Sequence, residues 1–411
     1  MKENDLKIIT NNDNIFHIEI YVPVGSIHEE KGQYGISHFL EHLKFNKSKK
    51  FDKTEFINKL TKYTYNATTT LDHTKYFITS TNKNYKDIID IINQIVFNTS
   101  FSSNEIEKER KIVLAEKIYT QQEKFLMEDI SIYDKKNPYS RAVIGTTSDI
   151  NNLKNKDFKK YNEKYLDNYF VFVSCSKNIQ KKVKDLCLKK FPNSKNQDIK
   201  PLPNIDLFKY ELILRNAIDD KQLLIINFKT FSFDDKNYDY LNLVDTIISK
   251  GRLSKLVSLL REKKGFVYRV ESSNHNFKDN GFYIIKIILN KNENIKNVIK
   301  IIFDEFKKIK DNELTKKELE NYKKKYIDNF NLKLKDYKYF LDFYSNNLFY
   351  KSDFKMENYI KKIKGVEPNI INNIINEVLN FYQMNIVIYG NFKNINKTNE
   401  SIYKIIEKYR E

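Results

Sequence analysis

The segment FVFVSCSKNI at residues 170–179 returns in altered letters as MNIVIYGNFKNI at 384–395. Both copies run from an apolar, β-branched stretch to Lys-Asn-Ile. Aligning Asn178 with Asn394 gives an offset of 394 − 178 = 216 residues, about half of the 411-residue chain. An internal echo at that distance is what duplication of a whole structural unit leaves behind.

The elements between the echoes narrow the fold class. IFHIEIYVPV at 15–24 alternates at close to period two and reads as a strand. A loop with Gly25, Gly32 and Gly35 leads into a predicted helix at 36–46. Residues 54–63 read as helix, and TYNATTTLDHTKYFITST at 64–81 as a hairpin. Helices are expected near 85–98, 104–123 and 156–166, before a strand at 169–175. In the second half, LLIINFKTF at 223–231 is a strand followed by a helix at 238–249. Strand, helices, hairpin, helices, strand is not the alternation of a doubly wound sheet. It fits an α+β fold of two similar domains, each an antiparallel sheet with helices packed on one side. The first domain is expected over 1–198 and the second over 210–411. The linker is expected at 199–209, overlapping the proline-bearing stretch NQDIKPLPNID at 196–206.

Composition agrees with two folded domains and removes some function classes. Hydrophobic residues make up 40 % of the chain and aromatics 14 %, enough for real cores. The formal charge is +18, but the lysines are scattered along helical stretches. They are gathered in no arm or stripe, so a solvated surface is expected and not a nucleic-acid site. Cys175 and Cys187 are too few for a disulfide framework and read as buried thiols. The N-terminus is polar, and no apolar run approaches the ~18 residues of a membrane span. A soluble, cytoplasmic protein with no membrane partner is the expectation.

The chemistry concentrates in Gly35-Ile-Ser-His38-Phe-Leu-Glu41-His42. On a helix, residues i and i+4 share a face, so His38 and His42 can point at one ion. Two neutral imidazoles make good zinc ligands. A catalytic zinc takes a third protein ligand and leaves one position for water. Glu41 lies beside them, placed to take a proton from that water. The chain has only six histidines, which makes a chance pair in this frame improbable. Third-ligand candidates lie in the stretch from Glu105 to Glu116. Glu109 and Glu116 are two turns apart on one helix face, with Ile112 and Val113 between them suggesting that this face turns inward.

These residues resemble the inverzincin metallopeptidases, the family of pitrilysin, the insulin-degrading enzyme and the β-subunit of the mitochondrial processing peptidase. VGSIHEEKGQYGISHFLEH is similar to the family's loop-and-helix motif, and ERKIVLAE to its Glu-Arg frame. The resemblance implies Glu116 as the third ligand and Glu109 as a supporting carboxylate. It implies one zinc per chain and Glu41 as general base. YNATTTLDHTKYF resembles the family's edge strand, with Asn66 and Ala67 at the positions that hold substrate backbone. NPYSRAVIGTTSDI resembles the segment after the ligand helix. GRLSKLVSLLREKKGFVYRV resembles the family's Arg/Tyr signature, which places Arg261 and Tyr268 at the substrate carbonyl. Lys44, Asn46, Lys47 and Ser48 depart from the usual residues after the motif, and Cys175 stands where glycine is common. Neither departure falls on a proposed ligand.

The resemblance implies a zinc endopeptidase acting on short or unfolded peptides. Family members enclose peptides with four such domains. A two-domain chain is therefore expected to pair, as a homodimer or with a related chain. A non-catalytic assembly subunit of the same fold is the alternative reading.

Overall fold

The computed structural model describes residues 1–122, 138–195, 210–217, 222–290, 294–351 and 353–410. The chain divides into two units, Met1–Pro201 and Leu202–Glu411. The expected linker at 199–209 lies outside the described residues.

The first unit runs β1 (Leu6–Thr10), β2 (Ile15–Val22), α1 (Ile36–Lys44), α2 (Lys53–Leu60), β3 (Thr64–Thr69), β4 (Thr74–Thr81), α3 (Tyr85–Phe97), α4 (Ser103–Gln122), α5 (Thr147–Asn152), α6 (Asn155–Tyr165), β5 (Phe170–Cys175) and α7 (Gln180–Lys190). Its sheet has the order β1-β5-β2-β4-β3. All neighbours are antiparallel except β1 with β5, which run parallel. The sheet is thus antiparallel with one parallel edge strand added. The sequence reading missed β1 because its five residues sit in a polar N-terminus.

Alternation along β2 decides which face the helices cover. Phe16, Ile18, Ile20 and Val22 point into a core shared with Ile78, Val171 and Val173 from the sheet and with Phe39, Ile88, Ile92, Val113 and Phe158 from the helices. Ile18 lies directly between Ile78 and Val173 in the register. The odd-numbered residues face the other way. There His17 pairs with Glu19 at 3.0 Å and with Thr79 at 2.6 Å, so these buried polar groups keep partners.

The second unit repeats the plan. It runs β6 (Glu211–Asn216), β7 (Leu223–Thr230), α8 (Leu241–Ile248), α9 (Lys255–Val257) continuing into a π-helical stretch (Ser258–Lys263), β8 (Val267–Asn276), β9 (Gly281–Leu289), α10 (Ile295–Asp311), α11 (Lys316–Lys333), α12 (Tyr337–Tyr350), α13 (Met356–Gly365), α14 (Pro368–Val378), β10 (Met384–Gly390) and α15 (Ile395–Glu407). Its sheet order is β6-β10-β7-β9-β8, with β6 parallel to β10. Strand for strand this is the first sheet again. Among the described residues no helix is long and apolar enough to cross a membrane. Cys175 and Cys187 are buried and free, as expected.

Candidate metal centre

Two glycines set where α1 begins. Gly35 caps it at φ +96°, and Gly145 turns at φ +76° in the loop before α5. They pack against each other so closely that a Cβ on Gly145 would lie 2.1 Å from the Tyr34 carbonyl oxygen. Glycine has no side chain to cap the helix. The buried Glu29 carboxylate does so instead, accepting from the Gly35 N–H at 2.7 Å and the Ser37 N–H at 3.0 Å. Burial pushes the Glu29 carboxyl up to about 7, against the pull of those two bonds and of Arg141.

From that start α1 presents two faces. Ile36, Phe39, Leu40 and Leu43, spaced i, i+3, i+4, i+7, are fully buried. Their burial fixes the rotation of the helix and turns His38, Glu41 and His42 toward α4 and β3. On α4, Ile106 and Val113 are buried, and Arg110 ties the helix down by donating to the carbonyls of Ile150 and, at 2.7 Å, Leu153. Val113 faces inward as expected. Ile112, however, is 52 % exposed, so the inward face of α4 is narrower than the sequence suggested.

The two helices bring the expected ligand atoms together. His38, His42 and Glu116 offer one atom each within 4.8 Å of one another. His38 Nε2 is 3.7 Å from Glu116 Oε1, and His42 Nε2 is 3.3 Å from Glu116 Oε2. His42 Nδ1 lies 3.0 Å from Glu109 Oε1. A carboxylate only accepts, so Nδ1 carries a proton, and Nε2, 3.3 Å from Glu116, is the ring atom left to bind a metal. Four-coordinate zinc with bonds of ~2.0–2.2 Å separates its ligand atoms by roughly 3.3–3.6 Å. This donor set therefore fits zinc.

The surrounding charges are shaped by burial. Burial, with His42 adding to it, lowers the His38 imidazolium to about 3. Burial also pulls His42 down, but its bond to Glu109 and the charges of Glu41, Glu109 and Glu116 outweigh it and the net direction is up. Glu41 is raised, again by burial, with opposition from the Thr69 hydroxyl that donates to Oε2 at 2.5 Å. Glu109 is pushed up by burial but held below the usual range by hydrogen bonds from His42 and Asn46.

The first unit thus brings together His38, Glu41, His42, Glu109 and Glu116. Asn66 and Ala67 lie on β3, the outermost strand of the sheet, with Asn66 exposed and Ala67 buried. Arg261 and Tyr268 belong to the second unit. Arg261 is exposed in the π-helical stretch. Tyr268 is 67 % exposed and is the extra residue of a β-bulge, since Val267 pairs with Leu289 and Arg269 with Ile288. Asn137, in the proposed Asn-Pro segment, lies outside the described residues.

The sequence reading missed three contributors. Thr69 holds Glu41. Asn46 donates to Glu109 Oε2 at 3.1 Å, and Lys53 donates to Asn46 Oδ1 at 2.7 Å. The departure at Asn46 therefore does reach the site, through Glu109. The signal was available in the spacing: 38, 42 and 46 follow one another at i+4. Lys44, by contrast, is fully buried away from the ligands, donating to the Val96 carbonyl at 2.6 Å and Asn162 at 2.5 Å.

Comparison with known proteins places the chain in a family. The family description "Insulinase (Peptidase family M16)" matches residues 7–147, and "Peptidase M16 inactive domain" matches residues 152–326. The zinc protease PqqE of Helicobacter pylori is 26 % identical over 339 residues, covering 78 % of this chain and 76 % of that protein. The mitochondrial-processing peptidase β-subunit of Dictyostelium discoideum is 25 % identical over 267 residues, covering 60 % and 55 %. A crystal structure of a protease from Helicobacter pylori superposes with a TM-score of 0.83 at 23 % identity, covering 95 % of this chain and 98 % of that one. The two family descriptions adjoin across α5, and between them they take in all the expected ligands together with Arg261 and Tyr268. The chain belongs to the insulinase family of peptidases, M16.

Proposed function

We propose that this chain is a zinc-dependent endopeptidase that hydrolyses short or unfolded peptides held in extended form. The observation that carries the reading is the convergence of His38, His42 and Glu116 with Glu41 on the same helix face. Zinc held there would polarise the scissile carbonyl and bring the pKa of a bound water toward ~7. Glu41 takes the water's proton. Thr69 holds the Glu41 carboxylate in place, and Glu109 orients His42. The substrate adds as a further strand beyond β3, with its backbone against Asn66 and Ala67.

Arg261 and Tyr268 are assigned to the substrate carbonyl oxygen, where charge develops during attack. Both sit on local irregularities, a π-helical stretch and a bulge, of the kind that re-aim side chains at functional sites. We place one zinc in each chain and the protein in the cytoplasm. The chain pairs with a second copy or a related chain, so that Arg261 and Tyr268 of one serve the zinc site of the other.

The test separates metal binding from chemistry. Glu41→Gln should keep the zinc content of the wild type and lose on the order of 10²–10⁴ in peptide cleavage rate. Cleavage within tenfold of wild type would remove Glu41 from the mechanism. A zinc-loaded wild type that cleaves no member of a peptide library would favour the non-catalytic assembly role.

A further inference from the structure

The inference concerns residues behind the metal and rests on the zinc-site reading above. We propose that Asn46 and Lys53 are positioning residues: a chain of hydrogen bonds from Lys53 through Asn46 and Glu109 to His42 fixes the second histidine ligand and sets how tightly zinc is held.

The contacts form one line. Lys53 Nζ donates to Asn46 Oδ1 at 2.7 Å, Asn46 Nδ2 donates to Glu109 Oε2 at 3.1 Å, and His42 Nδ1 donates to Glu109 Oε1 at 3.0 Å. The chemistry of the ends dictates the orientation of the middle. An ammonium only donates and a carboxylate only accepts, so the Asn46 amide must turn its oxygen to Lys53 and its NH₂ to Glu109. The reverse orientation would place two acceptors together at one end and two donors at the other. The amide bridges the two by accepting at one end and donating at the other. An aspartate at 46 would face Glu109 with like charge.

The elements explain why the line matters. Asn46 lies just past the end of α1, in the turn that its N–H closes on the Leu43 carbonyl at 3.2 Å. Asn46 is 4 % exposed, and its amide therefore does not exchange its partners freely with water. Lys53 opens α2, which supplies no ligand of its own. Through Asn46 the start of α2 is tied to the metal helix. Glu109 then has both oxygens engaged, one by His42 and one by Asn46, and cannot swing toward the metal in place of Glu116. Among the described residues His38 Nδ1 has no hydrogen-bond partner. The bond from His42 to Glu109 is therefore the one that fixes a ligand tautomer. Outer hydrogen bonds of this kind are worth about 10–100-fold in metal affinity.

The experiment measures zinc affinity by competition with a fluorescent chelator on the full chain, independent of any peptidase assay. Asn46→Ala should bind zinc about 10–100-fold more weakly. Lys53→Met, which keeps the aliphatic stem and removes the donor, should lose on the order of threefold or more. The double variant should match Asn46→Ala alone to within about twofold, because the lysine acts through the amide. Equal, independent losses that multiply in the double variant would overturn the proposal, since Lys53 would then act as a free charge. Wild-type affinity in Lys53→Met would overturn it as well. That variant keeps the test open if Asn46→Ala folds poorly, because Lys53 is exposed on the first turn of α2. The zinc-free Lys53→Met protein should melt with the zinc-free wild type. A lowered melting temperature would instead make its role one of stability and count against positioning. A wild type that binds no zinc would remove the underlying metal-site reading, an outcome distinct from unchanged affinity in the variants.

Discussion

Glu29→Gln tests how the metal helix is seated, without touching a ligand. Glu29 is 4 % exposed and gives each carboxylate oxygen to a different backbone N–H of the first turn of α1. Glutamine keeps the shape but has one oxygen, so its NH₂ must face one of those N–H groups. Losing one such bond in a buried place costs about 1–3 kcal/mol. The loss should depend on pH. Folding raises the Glu29 carboxyl from 4.5 to about 7. A raised acid stabilises the folded state fully below pH 4.5 and loses that stabilisation as pH rises through 7. That rise corresponds to about 3 kcal/mol. Glutamine does not titrate, so the difference between wild type and variant isolates this one group.

Thermal melts of both proteins at about pH 5 and pH 8 provide the assay, with every other titration common to the pair. Wild type should be the more stable at the lower pH, and the gap should narrow or reverse at the higher one. A gap that widens with pH would mean that the carboxylate is held as a favoured anion by its two N–H donors, and that burial is not the larger effect.

Three further outcomes follow from the geometry. His38→Ala, His42→Ala and Glu116→Gln should each strip zinc from the purified protein, measured as metal per chain; zinc kept by Glu116→Gln alone would make Glu109 the third ligand. Gly145→Ala adds a Cβ 2.1 Å from the Tyr34 carbonyl oxygen at a positive φ, which should cost about 2–5 kcal/mol in a melt. Gly32→Ala, also at positive φ but with nothing within 4 Å, should cost about 1 kcal/mol; equal losses would refute the packing argument. Glu41→Gln and Arg261→Ala, each inactive alone, should regain peptidase activity when mixed under subunit exchange if the arginine serves the partner's zinc, and a strict monomer in solution would end that idea.

The metal helix was legible because its two periods are both strong. Apolar residues at 36, 39, 40 and 43 announce the buried side, and 38, 41 and 42 announce the other. The proposed third ligand was harder to read. Ile112 and Val113 both pointed to an inward face, and only Val113 is buried. Spacing alone left Glu109 and Glu116 equivalent; the structure separates them by which atom of His42 each meets. β1 escaped because its pairing is with β5, far along the chain, and its own five residues carry little alternation. Asn46 and Lys53 escaped for a different reason. Neither has a chemistry that announces itself, and each acquires a role only from what lies at 2.7–3.1 Å. The bulge at Tyr268 is a property of the pairing with β9 and cannot be seen in either strand alone.

The parallel pairing of β1 with β5 also sets an order of events during synthesis. Leu6 pairs with Val171, 171 − 6 = 165 residues later, and β5 then inserts between β1 and β2. Every proposed ligand has been made by residue 116, yet the sheet beneath them stays open until β5 emerges. A nascent chain at that stage holds a histidine pair and the helix of Glu109 and Glu116, with Phe39 and Val113 lacking much of their cover. Non-local closure of this kind is slow and leaves apolar surface exposed in the interval. Metal capture should therefore follow completion of β5. A truncated chain ending before residue 170 should aggregate and not bind zinc tightly.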